Sequence, residues 1–471
     1  MIALFLPEIA VCAAIAALLG LTLCGDKTAA YLARKTAIAG ALLALAGAAA
    51  SFGARGTAFW GSYSVDGLSQ FFKCALAGCA LLAATMSGPQ LPVAEKKRAE
   101  YFVFIFTGTL GMMMLSSAVE ALTFYIGLEL SAYSLYLLVP MKEVRWNAEA
   151  GIKYIVFGAV TSGFLLYGLS ILVGLTQATH FAEMAARVPE VASDPAFLVG
   201  VFFVSGALFF KLSLFPFHFW APDTYEAAAT AVTAFIATAS KAAAVVILLR
   251  IFSNLGVPAA IVPVLGVLAF LSMTVGNAAA LLQQDVKRLL AYSSVAQAGY
   301  ILVGLLSGTG EAYSAVFFYA AAYALMNAAA FLVVLKVGEE QGTDNPSFNH
   351  FNGLADRSPL LAVLLLVSLL SLAGIPPLIG FTGKWFLFAA AMKQGHWFLV
   401  LAGVINSVIS LYYYLTVVKH AYLLKSDNTE KFPMGPVLRL ACVALFLALI
   451  LSGVFPKQLL DTAEAAFTAV R

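Results

Sequence analysis

Apolar residues fall in long runs, separated by short stretches that collect most of the charges and prolines. A helix rises about 1.5 Å per residue and needs about 20 predominantly apolar residues to cross the hydrocarbon of a bilayer. On that scale the pattern predicts spans near residues 2–24, 36–54, 66–88, 100–117, 119–139, 149–175 and 196–217. It continues with spans near 228–250, 258–283, 287–307, 311–337, 359–392, 396–424 and 434–454. The fold class is therefore an all-α membrane protein of about 14 transmembrane helices. The run 359–392 would reach roughly 51 Å as one straight helix, against a hydrocarbon core of about 30 Å. It contains Gly374, Pro376, Pro377, Gly380 and Gly383, so a helix interrupted within the membrane is expected. The seventh span ends at Pro216 and invites the same reading.

Spans 4–8 and 9–13 are five each. An odd unit repeated once enters the membrane from opposite faces, which is the plan of an inverted repeat with broken helices and a midplane site. The expected organisation is a single polytopic membrane domain over 1–471. Spans 1–3 occupy 1–98, the two five-helix repeats occupy 99–250 and 257–425, and the last span occupies 433–455.

Composition agrees with lipid as the solvent. The 471 residues are 62% hydrophobic and 11% charged, with a mean hydropathy of +0.92. A soluble domain of this length could not hide that much apolar surface. The net charge of +3 gives no sign of nucleic-acid binding. Cys12, Cys24, Cys74, Cys79 and Cys442 lack the spacing of a metal knuckle and read as small apolar residues. The first apolar run has no basic flank before it and reads as an uncleaved span.

Basic residues in alternate loops split 16 to 6. The richer side includes Lys96, Lys97, Arg98, Lys287, Arg288 and Arg357; the poorer includes Arg55, Arg250 and Arg471. By the positive-inside rule both termini are expected on the non-cytoplasmic side. Five basic residues remain inside spans: Lys73, Lys153, Lys211, Lys241 and Lys384.

A charge at the centre of a spanning helix costs about 2.5–3.5 kcal/mol of insertion free energy, so such groups mark function by default. Among the acids only Glu129 falls near mid-span, whereas Glu120, Glu149 and Asp285 lie at span ends. Lys241 is also central, and Lys211 and Lys384 adjoin the expected breaks. Desolvation disfavours a charged lysine and a nearby carboxylate favours it. A lysine that alternates between the two environments can release and rebind a proton. The competing reading is a static ion pair that ties helices together.

Lys73 reads as snorkelling to an interface, and Lys153 as pairing with Glu149 four residues earlier. His218, just after Pro216, suits either proton shuttling or loop anchoring. His180, His350, His396 and His420 read as structural. Polar side chains of the tenth span (Ser293, Gln297, Tyr300), the eleventh (Tyr319, Tyr323, Asn327) and the thirteenth (Asn406, Ser407, Ser410) could carry water bridges or join helices. No stretch has the pattern of a nucleotide, haem, flavin, iron–sulfur or metal site.

Five segments together resemble the antiporter-like subunits shared by NADH–quinone oxidoreductase, respiratory complex I, and the Mrp-type sodium/proton antiporters. They are GLELSAYSLYLLV around Glu129, EAGIKYIVFGA around Lys153, the long segment Phe210–Ala244, Asp285–Tyr300 and Ser371–Phe388. The resemblance implies a proton relay through Glu129, Lys211, Lys241 and Lys384, with His218 and Lys153 as further candidates. Lysine at the last station, and a chain ending soon after its fourteenth span, point to the N type of subunit. The family implies no redox centre in this chain. FMN, iron–sulfur clusters, NADH and quinone would belong to partner subunits, in a bacterial inner membrane with the termini periplasmic. A Mrp-type antiporter, a membrane-bound hydrogenase or a deazaflavin dehydrogenase complex is the alternative setting. Two departures stand out. Ala227–Ala231 replaces a Gly/Pro-rich pattern, which predicts a more regular start to the eighth span. Gln297 stands where the family often has histidine, and an amide cannot relay protons as imidazole does.

Overall fold

Capping side chains open many of the helices where the sequence turns apolar. Asp66 accepts from the Ser69 amide at 2.8 Å, while the Ser69 hydroxyl accepts from the Asp66 amide at 2.9 Å. Glu120 accepts from the Thr123 amide and Asp285 from the Arg288 amide, both at 2.8 Å. In each case a polar side chain satisfies amides that a helix start leaves without a partner.

The computed structural model describes residues 2–24, 26–142, 145–426, 430–431 and 434–468. Arg471 and the side chains of Lys27 and Arg145, which enter the count of basic residues, lie outside them. In chain order the structure begins with α1 (Leu6–Thr22) and α2 (Asp26–Ala50). A hairpin of β1 (Gly56–Ala58) and β2 (Tyr63–Val65) follows, pairing Thr57 with Ser64. Next come α3 (Gly67–Met86), α4 (Arg98–Ser117), α5 (Ala121–Leu138), α6 (Arg145–Thr176), α7 (Phe181–Val191) and α8 (Pro195–Leu212). Short helix α9 (Trp220–Ala227) precedes α10 (Thr230–Phe235), a π turn over Ile236–Ser240, and α11 (Lys241–Leu255). The rest comprises α12 (Val262–Ala280), α13 (Val286–Leu306), α14 (Gly310–Gln341), α15 (Leu354–Arg357) and α16 (Pro359–Ala373). It ends with α17 (Ile379–Lys393), α18 (Trp397–Leu423), α19 (Pro436–Val454) and α20 (Lys457–Thr468).

Among the described residues, 13 helical segments are long and apolar enough to cross a membrane. The remaining predicted span is the pair α16 and α17, interrupted as its Gly/Pro content implies. Helix α16 ends at Gly374 (φ +91°), and a cis Pro376–Pro377 peptide follows three residues later. The seventh span is interrupted in the same manner. Helix α8 ends at Ser213 (φ +59°), three residues before a cis Phe215–Pro216 peptide. The eighth span carries a feature that the expectation for its start at Ala227–Ala231 did not address. A π turn over Ile236–Ser240 sits further along it, directly before Lys241.

The chain divides into two compact units, and the division falls within the break of the seventh span. The first comprises Met1–Ser213, Ala227–Val264 and Glu464–Arg471; the second comprises Leu214–Glu226 and Leu265–Ala463. In the first unit α4 and α5 approach at backbone distance. A Cβ on Gly111 would lie 2.5 Å from the Ser131 amide nitrogen, so glycine is what permits the contact. This packing sets the position of α5, which carries Glu129. In the second unit α13 and α14 are almost wholly wrapped in protein.

Three basic residues counted in loops are instead buried by specific partners. Arg250 grips both oxygens of Asp66 at 2.8 Å and donates to the Ser116 carbonyl at 2.6 Å. Lys287 donates to the Glu226 carbonyl and to Asn345, and Arg357 pairs with Glu340. Lys73 does not snorkel. It is fully buried and forms an ion pair with Glu8 at 2.7 Å.

Candidate functional site

Glu129 lies near the middle of α5 and is 8% exposed, and neither carboxylate oxygen has a hydrogen-bond partner. Lys211 occupies the last turn of α8, where the carbonyl end of the helix dipole favours a cation. Its Nζ is also buried without a hydrogen-bond partner and sits 5.7 Å from the centroid of the Tyr136 ring. The two groups feel one another electrostatically but form no direct ion pair. A carboxylate and an ammonium of one unit are thus buried near each other with both hydrogen-bonding capacities unused. A purely static clamp would close that gap, because an unpaired buried charge is costly.

Lys241, the first residue of α11, reaches the broken seventh span. Its Nζ donates to the Leu212 carbonyl at 2.5 Å and to the Ser213 hydroxyl at 2.7 Å. The last carbonyls of a helix lack partners within it, and Lys241 supplies one at the break.

In the second unit Lys384 does the same for α16 from the other half of its own broken span. Its Nζ donates to the carbonyls of Leu372 at 3.0 Å and Ala373 at 3.1 Å, and to the Ser407 hydroxyl of α18 at 3.1 Å. The Tyr300 ring lies 4.4 Å from this ammonium, within cation–π range. Gln297 donates from Nε2 to the same Leu372 carbonyl at 3.0 Å, and its Oε1 accepts from the Tyr319 hydroxyl. Tyr319, Gln297, the Leu372 carbonyl, Lys384 and Ser407 therefore form one hydrogen-bonded string in the second unit. Sequence reasoning named these side chains but not the shared carbonyl, which only the break exposes.

His218 lies in the second unit, at the break of the seventh span. It is 4% exposed, its Nδ1 has no hydrogen-bond partner, and its ring packs near Phe215 and Phe219 at centroid distances of 5.7 and 4.5 Å. Lys153 lies apart from the buried set. It pairs with Glu149 at 2.9 Å, with side chains 42% and 61% exposed. Other expected polar positions join helices. The Asn277 amide donates to Asn406 Oδ1 at 3.1 Å, and the Tyr413 hydroxyl donates to Asn277 at 2.9 Å. His420 bonds to Asn352 at 2.7 Å, and His350 accepts from the Ser347 amide at 2.9 Å, both structural contacts.

Besides the Asp66–Arg250 pair, sequence reasoning missed a second buried set in the first unit. Glu8 accepts from the Tyr63 hydroxyl at 2.5 Å and pairs with Lys73, linking α1, β2 and α3. Lys73 stood inside a predicted span in the sequence, where it read as snorkelling. Its acid, in the first turn of α1, was not distinguishable from a solvated helix start.

The family model for the membrane part of NADH:quinone oxidoreductase and the Mrp antiporter matches residues 118–410. The chain belongs to that NADH:quinone oxidoreductase/Mrp antiporter family. Within it, the chain falls among the proteins called subunit N. It is 47% identical over 431 residues to "NADH-quinone oxidoreductase subunit N 2" of Syntrophobacter fumaroxidans, covering 91% of each chain. A chain of the respiratory complex I of Thermus thermophilus, solved with bound aureothin, is 32% identical. It superposes with a TM-score of 0.84 over 98% of this chain and 100% of that one. A chain of the Mrp complex from Dietzia superposes with a TM-score of 0.87 at 21% identity, over 99% of this chain and 97% of that one. That likeness is one of fold.

Proposed function

We propose that this chain is a proton-translocating membrane subunit of an NADH–quinone oxidoreductase, carrying protons through Glu129, Lys211, Lys241 and Lys384. The observation that carries the reading is the pair of buried, unbonded charged groups at Glu129 and Lys211. When the carboxylate closes on the Lys211 ammonium, the lysine keeps its proton. When the carboxylate withdraws, desolvation drives the proton off. Lys241 and Lys384 then serve as the later stations, each held against helix-break carbonyls that stabilise its ammonium form. His218 assists at the first break, and Lys153 has a lesser part from its half-exposed position. Moving one charge against the membrane potential costs about 2.3 kcal/mol per 100 mV. Energy of that size comes from electron transfer in partner subunits, which hold the FMN, the iron–sulfur clusters and the NADH and quinone sites. The setting is a bacterial inner membrane with both termini periplasmic.

The test is Lys211→Ala in the assembled complex. NADH oxidation with a water-soluble artificial acceptor, a reaction of other subunits, should persist while proton pumping falls. Unchanged pumping overturns the assignment. A gene neighbourhood holding only small membrane subunits, without flavin and iron–sulfur proteins, would turn the reading toward a cation/proton antiporter.

A further inference from the structure

The two broken spans end their first half-helices on residues with left-handed backbones, Ser213 and Gly374. The second choice is what sterics demand. A Cβ on Gly374 would lie 3.1 Å from Lys384 Cδ and 3.5 Å from its Nζ, so a side chain there would crowd the lysine. The first choice is not explained by the backbone. Serine at φ +59° carries a cost of roughly 1–2 kcal/mol that glycine avoids. Ser213 is fully buried, so solvation does not explain a hydroxyl there either. What that side chain does is accept the Lys241 ammonium at 2.7 Å, beside the Leu212 carbonyl at 2.5 Å.

We infer that Ser213 is a positioning residue for Lys241. Its hydroxyl holds the ammonium against the broken helix end and sets how readily that station gives up its proton. The inference rests on the proposed proton relay. The second unit meets the same need differently, because Lys384 takes its hydroxyl partner from α18, at Ser407, and leaves position 374 free of a side chain.

The experiment compares Ser213→Gly, Ser213→Asn and Lys241→Ala in the assembled complex, with proton pumping followed across pH. Glycine keeps the left-handed backbone without strain and removes the hydroxymethyl group, and with it the acceptor. Asparagine tolerates the same backbone and restores an oxygen acceptor. A hydrogen bond to a charged group contributes about tenfold in its equilibrium, so the alkaline limb of pumping in S213G should move toward acid by up to about one pH unit. Pumping at the wild-type optimum should fall several-fold, and S213N should recover part of it. A profile for S213G that superimposes on wild type, with assembly normal, overturns the inference. So does a loss uniform across pH, which a merely structural residue would give. Normal pumping by K241A would instead overturn the relay itself, so the two failures are distinguishable.

Discussion

The breaks in the seventh and twelfth spans expose the same kind of group, the last carbonyls of a half-helix, and both satisfy it with a lysine. They differ in where the lysine comes from. At the first break Lys241 arrives from the next span and lands on Leu212 and Ser213. At the second, Lys384 folds back from beyond the break onto Leu372 and Ala373. The first break also has a second lysine, Lys211, two residues before its left-handed residue and unbonded. The second has none at the matching place, where Leu372 stands. A break thus fixes the need for a cation but not which element provides it. The first break has one lysine that caps it and another, Lys211, whose ammonium makes no hydrogen bond. At the second break a single lysine, Lys384, caps the helix end and is bonded into a string with Gln297 and Tyr319.

The largest effect is expected away from both breaks, at Asp66. Arg250 follows Lys241 on α11, and its bidentate grip on Asp66 anchors the helix that brings Lys241 to Leu212. The side chains are 2% and 13% exposed, so removing one partner leaves a buried charge, which costs about 3–5 kcal/mol. Asp66→Ala should sharply lower the amount of assembled subunit and its midpoint in thermal unfolding. A midpoint within a degree of wild type would mean that the first break needs no such anchor.

Next in size is a contrast between lysines. Lys384→Met should abolish pumping and also destabilise by about 1–3 kcal/mol, since the Ala373 carbonyl is left without a donor while Leu372 keeps only Gln297. Lys211→Met should lose pumping with a smaller loss of stability, because its ammonium bonds to no acceptor that would be orphaned and Glu129 can take up a proton once its cation is gone. Pumping assays paired with thermal unfolding of the same preparations read both. Equal destabilisation by the two variants would erase the distinction between a capping and a free lysine.

Much of this contrast was legible in the sequence. Pro216 and the Gly-Ile-Pro-Pro run marked the breaks, because proline removes a donor and ends a helix. Glu129, Lys211, Lys241 and Lys384 stood out because a charge within a spanning segment is expensive. The partners were not legible. Glu8 meets Lys73, and Asp66 meets Arg250, far along the chain, and no local pattern records such a pairing. The same blindness put Arg250, Lys287 and Arg357 into loop counts, although each is buried and tied to a named partner. The π turn before Lys241 also has no sequence signature, since Ala, Thr and Ser fit a regular helix as well.

A smaller effect should follow Gly374→Ala. The new Cβ meets Lys384 Cδ at 3.1 Å, and the left-handed backbone adds roughly 1–2 kcal/mol for a residue with a side chain. Lys384 can give by a few tenths of an ångström, so the subunit should fold, with pumping reduced a few-fold. Wild-type pumping here would show that the second break tolerates a side chain as the first does, and the steric contrast between Ser213 and Gly374 would fall.

The smallest effect is expected at Lys153, the charged candidate that belongs to neither break. Its pair with Glu149 is half exposed, and ion pairs of that kind contribute about 0–1 kcal/mol. Around it α6 shows Ile152, Val156 and Val160 to the outside, so the pair sits on an outer face. Lys153→Ala should therefore change thermal stability by less than about 0.5 kcal/mol, in line with surface substitutions generally. Pumping should stay within about twofold of wild type if the buried lysines carry the path. A tenfold loss with stability unchanged would put a working charge on the outer face of α6, and the two breaks alone would then not account for the path.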